Sequence, residues 1–156
     1  MRDRIHESVG PLLDHWSPEL LNQRPTRGDL HLSHPEKPIA DLTPAAVLVP
    51  LVERRHGLHV LLTQRTAHLK DHAGQISFPG GRAEADDPHP TATALRETAE
   101  EVGIGAHDIE VVGSLDNYET GTGYLVVPVV GFVRPHYGLD VDCLLYTSPS
   151  PRDLAR

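Results

Sequence analysis

Gly81 to Ile104 reads GRAEADDPHPTATALRETAEEVGI. Its second half, Arg96-Glu97-Thr98-Ala99-Glu100-Glu101-Val102, carries carboxylates at 97, 100 and 101, an i, i+3, i+4 pattern. At about 100° per residue they fall within one arc of a helix. Ala92, Leu95, Ala99 and Val102 fall on the other side, so the spacing predicts a helix over 91–102 with one face against a core. Asp86-Asp87-Pro88-His89-Pro90-Thr91 supplies Asp or Thr as a cap and proline for the first turn. Gly103 stands where a left-handed residue ends a helix. Three carboxylates this close repel one another unless a cation sits among them. Hard oxygen donors on a rigid element suit Mg²⁺ or Mn²⁺, which often go on to hold phosphate. Alone, an Arg-Glu-x-x-Glu-Glu run is usually a solvated helix face. Here a Phe78-Pro79-Gly80-Gly81 turn precedes it. Its glycines leave a backbone free to bring a carbonyl close to a metal.

Outward from this stretch, the chain alternates apolar runs with turns. Ala45 to Val52 reads as a buried strand, with Pro50 suggesting a bulge or an edge. Leu58 to Thr63 returns as its partner after a turn at Gly57. Ile76 to Phe78 enters the glycine turn, and Ile109 to Leu115 and Tyr124 to Val133 are further strands, the last carrying Pro128. Asn117 to Gly123 reads as a polar loop. Residues 1–42 form a polar lead-in, in which Ile5, Val9, Leu12, Leu13 and Trp16 fit a short amphipathic helix interrupted at Gly10-Pro11. Pro25, Pro35 and Pro38 argue for loop between Asn22 and Asp41. The expected organisation is a flanking segment over 1–42, one domain over 43–142, and a tail over 143–156. Strands outnumber helices, which suggests a mixed sheet covered by helices.

The 156 residues suffice for one domain with a core. No apolar run approaches the ~20 residues of a membrane span, and the first residues carry acids and no apolar signal region. The formal net charge is −8. An acidic chain without a basic stripe is a poor nucleic-acid binder. The single cysteine, Cys143, lies in the tail, so residues 1–142 hold no disulfide. That fits a reducing cytoplasm.

Taken together, these motifs resemble the Nudix hydrolases. Their box runs Gly, five residues, Glu, seven residues, then Arg-Glu-aliphatic-x-Glu-Glu-x-Gly-aliphatic. This chain departs from it in three places. Asp87 replaces the first Glu, the gap from Asp87 to Arg96 is one residue longer, and Thr98 occupies an aliphatic position. Upstream, Leu61-Leu62-Thr63-Gln64-Arg65, then Lys70, Gly74 and Phe78-Pro79-Gly80-Gly81, are similar to the signature of the coenzyme A pyrophosphatase branch. In that branch the longer spacing and the Asp are ordinary. Thr66 stands where Ser or Ala is usual, and Lys70 where Arg is usual. Lys70 keeps the charge but loses the bidentate fork.

The resemblance implies an α/β fold, an α/β/α sandwich around a mixed sheet, truncated at the C-terminus because a later strand and helix normally complete it. It implies metal-dependent hydrolysis of the diphosphate of coenzyme A or an acyl-coenzyme A. The alternatives are a pyrophosphatase of ADP-ribose, dinucleotides or damaged nucleotides, and a non-catalytic nucleotide sensor. By the same resemblance Gly81, Glu97, Glu100 and Glu101 bind Mg²⁺ or Mn²⁺, and Arg96 and Glu100 are the catalytic candidates. Arg96 orients a carboxylate, while the general base stays open between a helix Glu and a Glu on a late loop. Arg65, Lys70, Gly74 and Phe78 belong to the substrate-binding set, with Phe78 and Gly74 also open to packing or turn roles. Tyr118 and Tyr124 flank a loop able to stack an adenine. The expected partner is a small nucleotide of the coenzyme A class, with no nucleic acid and no membrane.

The tail needs a separate reading. Residues Cys143 to Asp153 resemble the translation of a transposase adapter used in preparing sequencing libraries. The expectation is that natural sequence stops at Asp142 and the rest is read-through.

Overall fold

The computed structural model describes residues 1–22, 26–28, 41–54, 57–64, 76–134 and 144–149. The expectations for Arg65, Lys70 and Gly74 lie outside these residues.

A mixed sheet forms the centre. Its two longest strands, β2 (Thr43–Arg54) and β8 (Tyr124–Val133), pair in parallel from Thr43↔Tyr124 to Leu51↔Phe132. The other edge of β2 carries two antiparallel partners in succession. β5 (Gly80–Arg82) pairs with 45–47, and β3 (Gly57–Gln64) pairs with 51–54. The free edge of β8 is shared in the same way between β7 (Asn117–Glu119) at 125–126 and β6 (Ile109–Ser114) at 129–133. Short strands finish the sheet: β1 (Thr26–Gly28) parallel to β7, and β4 (Ile76–Ser77) and β9 (Leu144–Pro149) antiparallel to β3. The chain over 22–41 therefore contains a strand, and the expected loop over 117–123 begins with one.

Pro50 is not at an edge. β2 is an interior strand, and Pro50 falls between its β5 and β3 ladders, so its missing N–H breaks neither antiparallel pairing. Pro128 repeats the device in β8, between the β7 and β6 ladders, and its carbonyl accepts from Leu115 N–H at 2.9 Å.

Alternate residues of β2 face opposite ways. Ala46, Leu48 and Val52 meet Ala94 and Val102 of helix α3 (Pro90–Val102), whereas Leu51 packs with Ile5 and Val9 of the segment around helix α1 (Arg2–Ser8). Leu21, at the end of helix α2 (Pro18–Asn22), joins Leu42, Leu125 and Val127 on the α3 side. The sheet is thus flanked by helices on both faces. Among the described residues no helix is long and apolar enough to cross a membrane.

Helix α3 is rotated from its expected setting. Thr93, Ala94, Thr98 and Val102 are buried, while Ala99 is exposed and Ala92 and Leu95 are half-buried. Two threonines can face the core because their hydroxyls are already used. Thr98 Oγ1 donates to the Ala94 carbonyl at 2.7 Å, one turn back. Small side chains on this face also let the helix lie close on the sheet. At the C-terminus Gly103 takes φ 73°, ψ 14°, and its N–H bonds the Ala99 carbonyl, as the sequence predicts. At the N-terminus the cap is His89, whose Nδ1 accepts from Ala92 N–H at 3.0 Å, and Pro90 opens the helix. Asp87, one of the acids considered for the cap, is engaged elsewhere.

Candidate active site

Strand β5 and helix α3 bring the two halves of the motif together. Pro79 is fully buried and its carbonyl accepts from Leu48 N–H at 2.8 Å, which ties the turn to the middle of β2. Gly80 and Gly81 then pair with Val47 and Ala46. A Cβ on Gly81 would lie 2.6 Å from Glu97 Cδ and 2.7 and 2.9 Å from its two oxygens. A methyl group at position 81 would therefore push the Glu97 carboxylate aside, because that carboxylate lies directly against the Gly81 backbone.

Arg96 is the hub. Its Nε donates to Asp87 Oδ1 at 3.1 Å and its Nη2 to Asp87 Oδ2 at 2.9 Å, a two-pronged grip. Nη2 also donates to the Arg82 carbonyl at 3.1 Å. Nη1 faces Glu97 Oε1 at 3.0 Å, Glu84 Oε1 at 3.4 Å and Glu100 at 3.4 Å. The guanidinium thus holds the strand, the loop and the helix to one another. The Asp87 side chain is only 7% exposed and accepts further from Glu84 N–H and the Thr93 hydroxyl, each at 2.9 Å. With Arg96 as the largest cause, its carboxyl is held down at about 2, against an ordinary 3.8. The Arg96 guanidinium is pushed further up from its already high value, chiefly by Asp87.

Four carboxylates, on Glu84, Asp87, Glu97 and Glu100, surround this one guanidinium. Their excess negative charge is what a divalent cation would offset. Glu97 is 18% exposed and Glu100 58%, so both are open to solvent on the side away from the core. Among the described residues no three His, Cys, Asp or Glu side chains already converge on one point. Hard oxygen donors beside a glycine backbone nevertheless fit Mg²⁺ or Mn²⁺ in chemistry. Glu97, Glu100, Glu101 and the Gly81 carbonyl are the groups suited to hold it. Glu101 is half-buried on the same helix.

Phe78 is 37% exposed and lines a groove of about 1180 Å³ on the sheet face opposite α3, together with Val47, Val49, Leu62, Tyr118 and Val126. The Tyr124 hydroxyl accepts from Arg82 Nε at 3.0 Å, with the guanidinium 5.3 Å from the ring centre. The sequence pattern gives Asp87 no role and does not single out Glu84 or Thr93. The signal for Thr93 was available: it lies one turn before Arg96 on the same helix.

A model of the NUDIX domain matches residues 42–141. A Citrobacter koseri protein described as an uncharacterized Nudix hydrolase, NudL, is 50% identical over 101 residues, covering 63% of this chain and 52% of the relative. An Escherichia coli protein of the same description is 50% identical over 91 residues, covering 58% and 47%. The chain spans about half the length of these curated relatives. In fold it is similar to an Ap4A hydrolase of C. elegans (TM-score 0.57, 20% identity, 73% of this chain and 85% of that one). It is also similar to RenU, a Nudix hydrolase of M. smegmatis (TM-score 0.55, 20% identity, 67% and 69%). With the motif helix seated on a mixed sheet and its glycine turn pinned beside it, this chain belongs to the Nudix family.

Proposed function

We propose that this chain is a divalent-metal-dependent pyrophosphohydrolase whose substrate is coenzyme A or an acyl-coenzyme A. The products are adenosine 3′,5′-bisphosphate and 4′-phosphopantetheine or its acylated form. The observation that carries the reading is the Arg96 hub, with Glu97 set against Gly81 and Glu100 one turn on. When bound, Mg²⁺ or Mn²⁺ neutralises diphosphate oxygens and makes a water more acidic. Glu97, Glu100, Glu101 and the Gly81 carbonyl hold the ion. Arg96 fixes the Glu97 carboxylate and, with Asp87, keeps the helix in register with β5. The general base is a helix Glu or a Glu on a late loop.

The substrate class rests on the segment from Leu61 to Gly81, where Arg65 and Lys70 supply cations for the phosphates, including the 3′-phosphate that marks coenzyme A. Phe78, part-exposed in the lining of the apolar groove, offers a wall to the remainder of the substrate. The site belongs to a protein working in the cytoplasm on a small nucleotide.

Side-by-side hydrolysis of coenzyme A, dephospho-coenzyme A and ADP-ribose with Mn²⁺ tests the reading. Coenzyme A is expected to be cut fastest, and Glu100→Gln and Glu97→Gln to abolish most turnover. A preference for ADP-ribose overturns the substrate assignment. Nucleotide binding without turnover, indifferent to both substitutions, overturns the enzyme and leaves a sensor.

A further inference from the structure

The hydrogen bonds around Asp87 continue past the motif. Thr93 Oγ1 is 2.9 Å from Asp87 Oδ2 and 3.2 Å from Trp16 Nε1. An indole N–H can only donate, so the Thr93 hydroxyl accepts from it and has one proton left to give. That proton goes to Asp87. Thr93 is fully buried, so bulk water does not compete for the hydroxyl. Trp16 itself is wedged against both core clusters on the α3 side, which fixes the ring. It is the only tryptophan in the chain, and it lies outside the residues 42–141 that match the family model.

We propose that Trp16 is a positioning residue for the carboxylate site. Its indole N–H orients the Thr93 hydroxyl, the hydroxyl holds Asp87 where it grips Arg96, and Arg96 sets the placement of Glu97 and Glu100. The lead-in segment is then a working part of the site. This inference rests on the reading of those glutamates as cation ligands.

The test uses the full chain. Trp16→Phe keeps a large ring and removes the donor. Thr93→Val removes the relay at nearly constant shape, and Thr93→Ser retains it. Two quantities are read: Mn²⁺ affinity by titration calorimetry, and hydrogen exchange of the Arg96 Nε–H by ¹⁵N NMR. Trp16→Phe and Thr93→Val should each weaken Mn²⁺ by about tenfold, the lower end of the range for groups that orient metal ligands. Both should speed Arg96 exchange, while Thr93→Ser stays near the parent. The double variant should be no worse than Thr93→Val alone, since both act through one chain of bonds. Unchanged Mn²⁺ affinity and Arg96 exchange in Trp16→Phe overturn the proposal, as do purely additive losses in the double variant. If the parent binds no Mn²⁺ the metal-hydrolase reading falls, and Arg96 exchange alone then decides whether Trp16 positions the hub.

Discussion

Replacing Asp87 by Asn removes one charge from the Arg96 hub and keeps the shape. The folded carboxyl titrates at about 2 and the ordinary value is 3.8. At about 1.4 kcal/mol per decade of acidity, ionised Asp87 stabilises the fold by about 2 kcal/mol. The folded value lies below the unfolded one, so this contribution is fully present above 3.8 and is lost as the pH falls toward 2. Asp87→Asn should therefore lower stability by about 2 kcal/mol at pH 7 and pH 5, and by only about 1 kcal/mol at pH 3. Other carboxylates also protonate in this window. The quantity to follow is therefore the difference between parent and variant in urea unfolding at each pH, which cancels them. A difference that stays constant from pH 7 to pH 3 would refute the reasoning, because Asp87 would then not owe its ionisation to Arg96.

Four further outcomes are expected. Gly81→Ala places a methyl group against the Glu97 carboxylate, and should weaken Mn²⁺ binding by about tenfold or more, measured by calorimetry. Thr98→Val should change the unfolding free energy measured in urea by less than about 1 kcal/mol, since its hydroxyl bonds a carbonyl already within the helix. Arg65→Ala or Lys70→Ala should raise KM for coenzyme A about tenfold and for dephospho-coenzyme A much less, as a lost charge-assisted contact to the 3′-phosphate would. The adapter resemblance of 143–153 predicts that the gene, amplified again from its source, reads into different sequence after Asp142; a clean read still encoding Cys143-Leu144-Leu145-Tyr146 refutes it.

What could be read from the chain alone follows from how local each signal is. The bounds of Tyr124–Val133 are legible because eight apolar residues, interrupted by Pro128 and Gly131, lie between Gly123 and Arg134. The stop at Gly103 is a single-residue effect and was equally plain. The face of α3 was misjudged because threonine counts as polar in a hydrophobic pattern. Thr93 and Thr98 are buried only because each hydroxyl has a partner that the pattern does not display. β1 and β7 were invisible for another reason: they are three-residue strands that pair with each other across most of the chain. Within the site, the carboxylates and Arg96 stood out by spacing, but the grip of Asp87 depends on how the 83–89 loop folds back. No periodicity encodes that.

The parallel ladder between β2 and β8 also bears on how the molecule assembles. Thr43 pairs with Tyr124, so every contact along it closes a loop of about 80 residues, a kind of contact that slows folding. The glycine turn, the Asp87 loop and helix α3 all lie inside that loop. On a ribosome they emerge before β8 exists, when the helix has only part of its platform. The hub can reach its final geometry only once β8 has docked, so conditions that slow this docking leave an acidic helix waiting for its sheet.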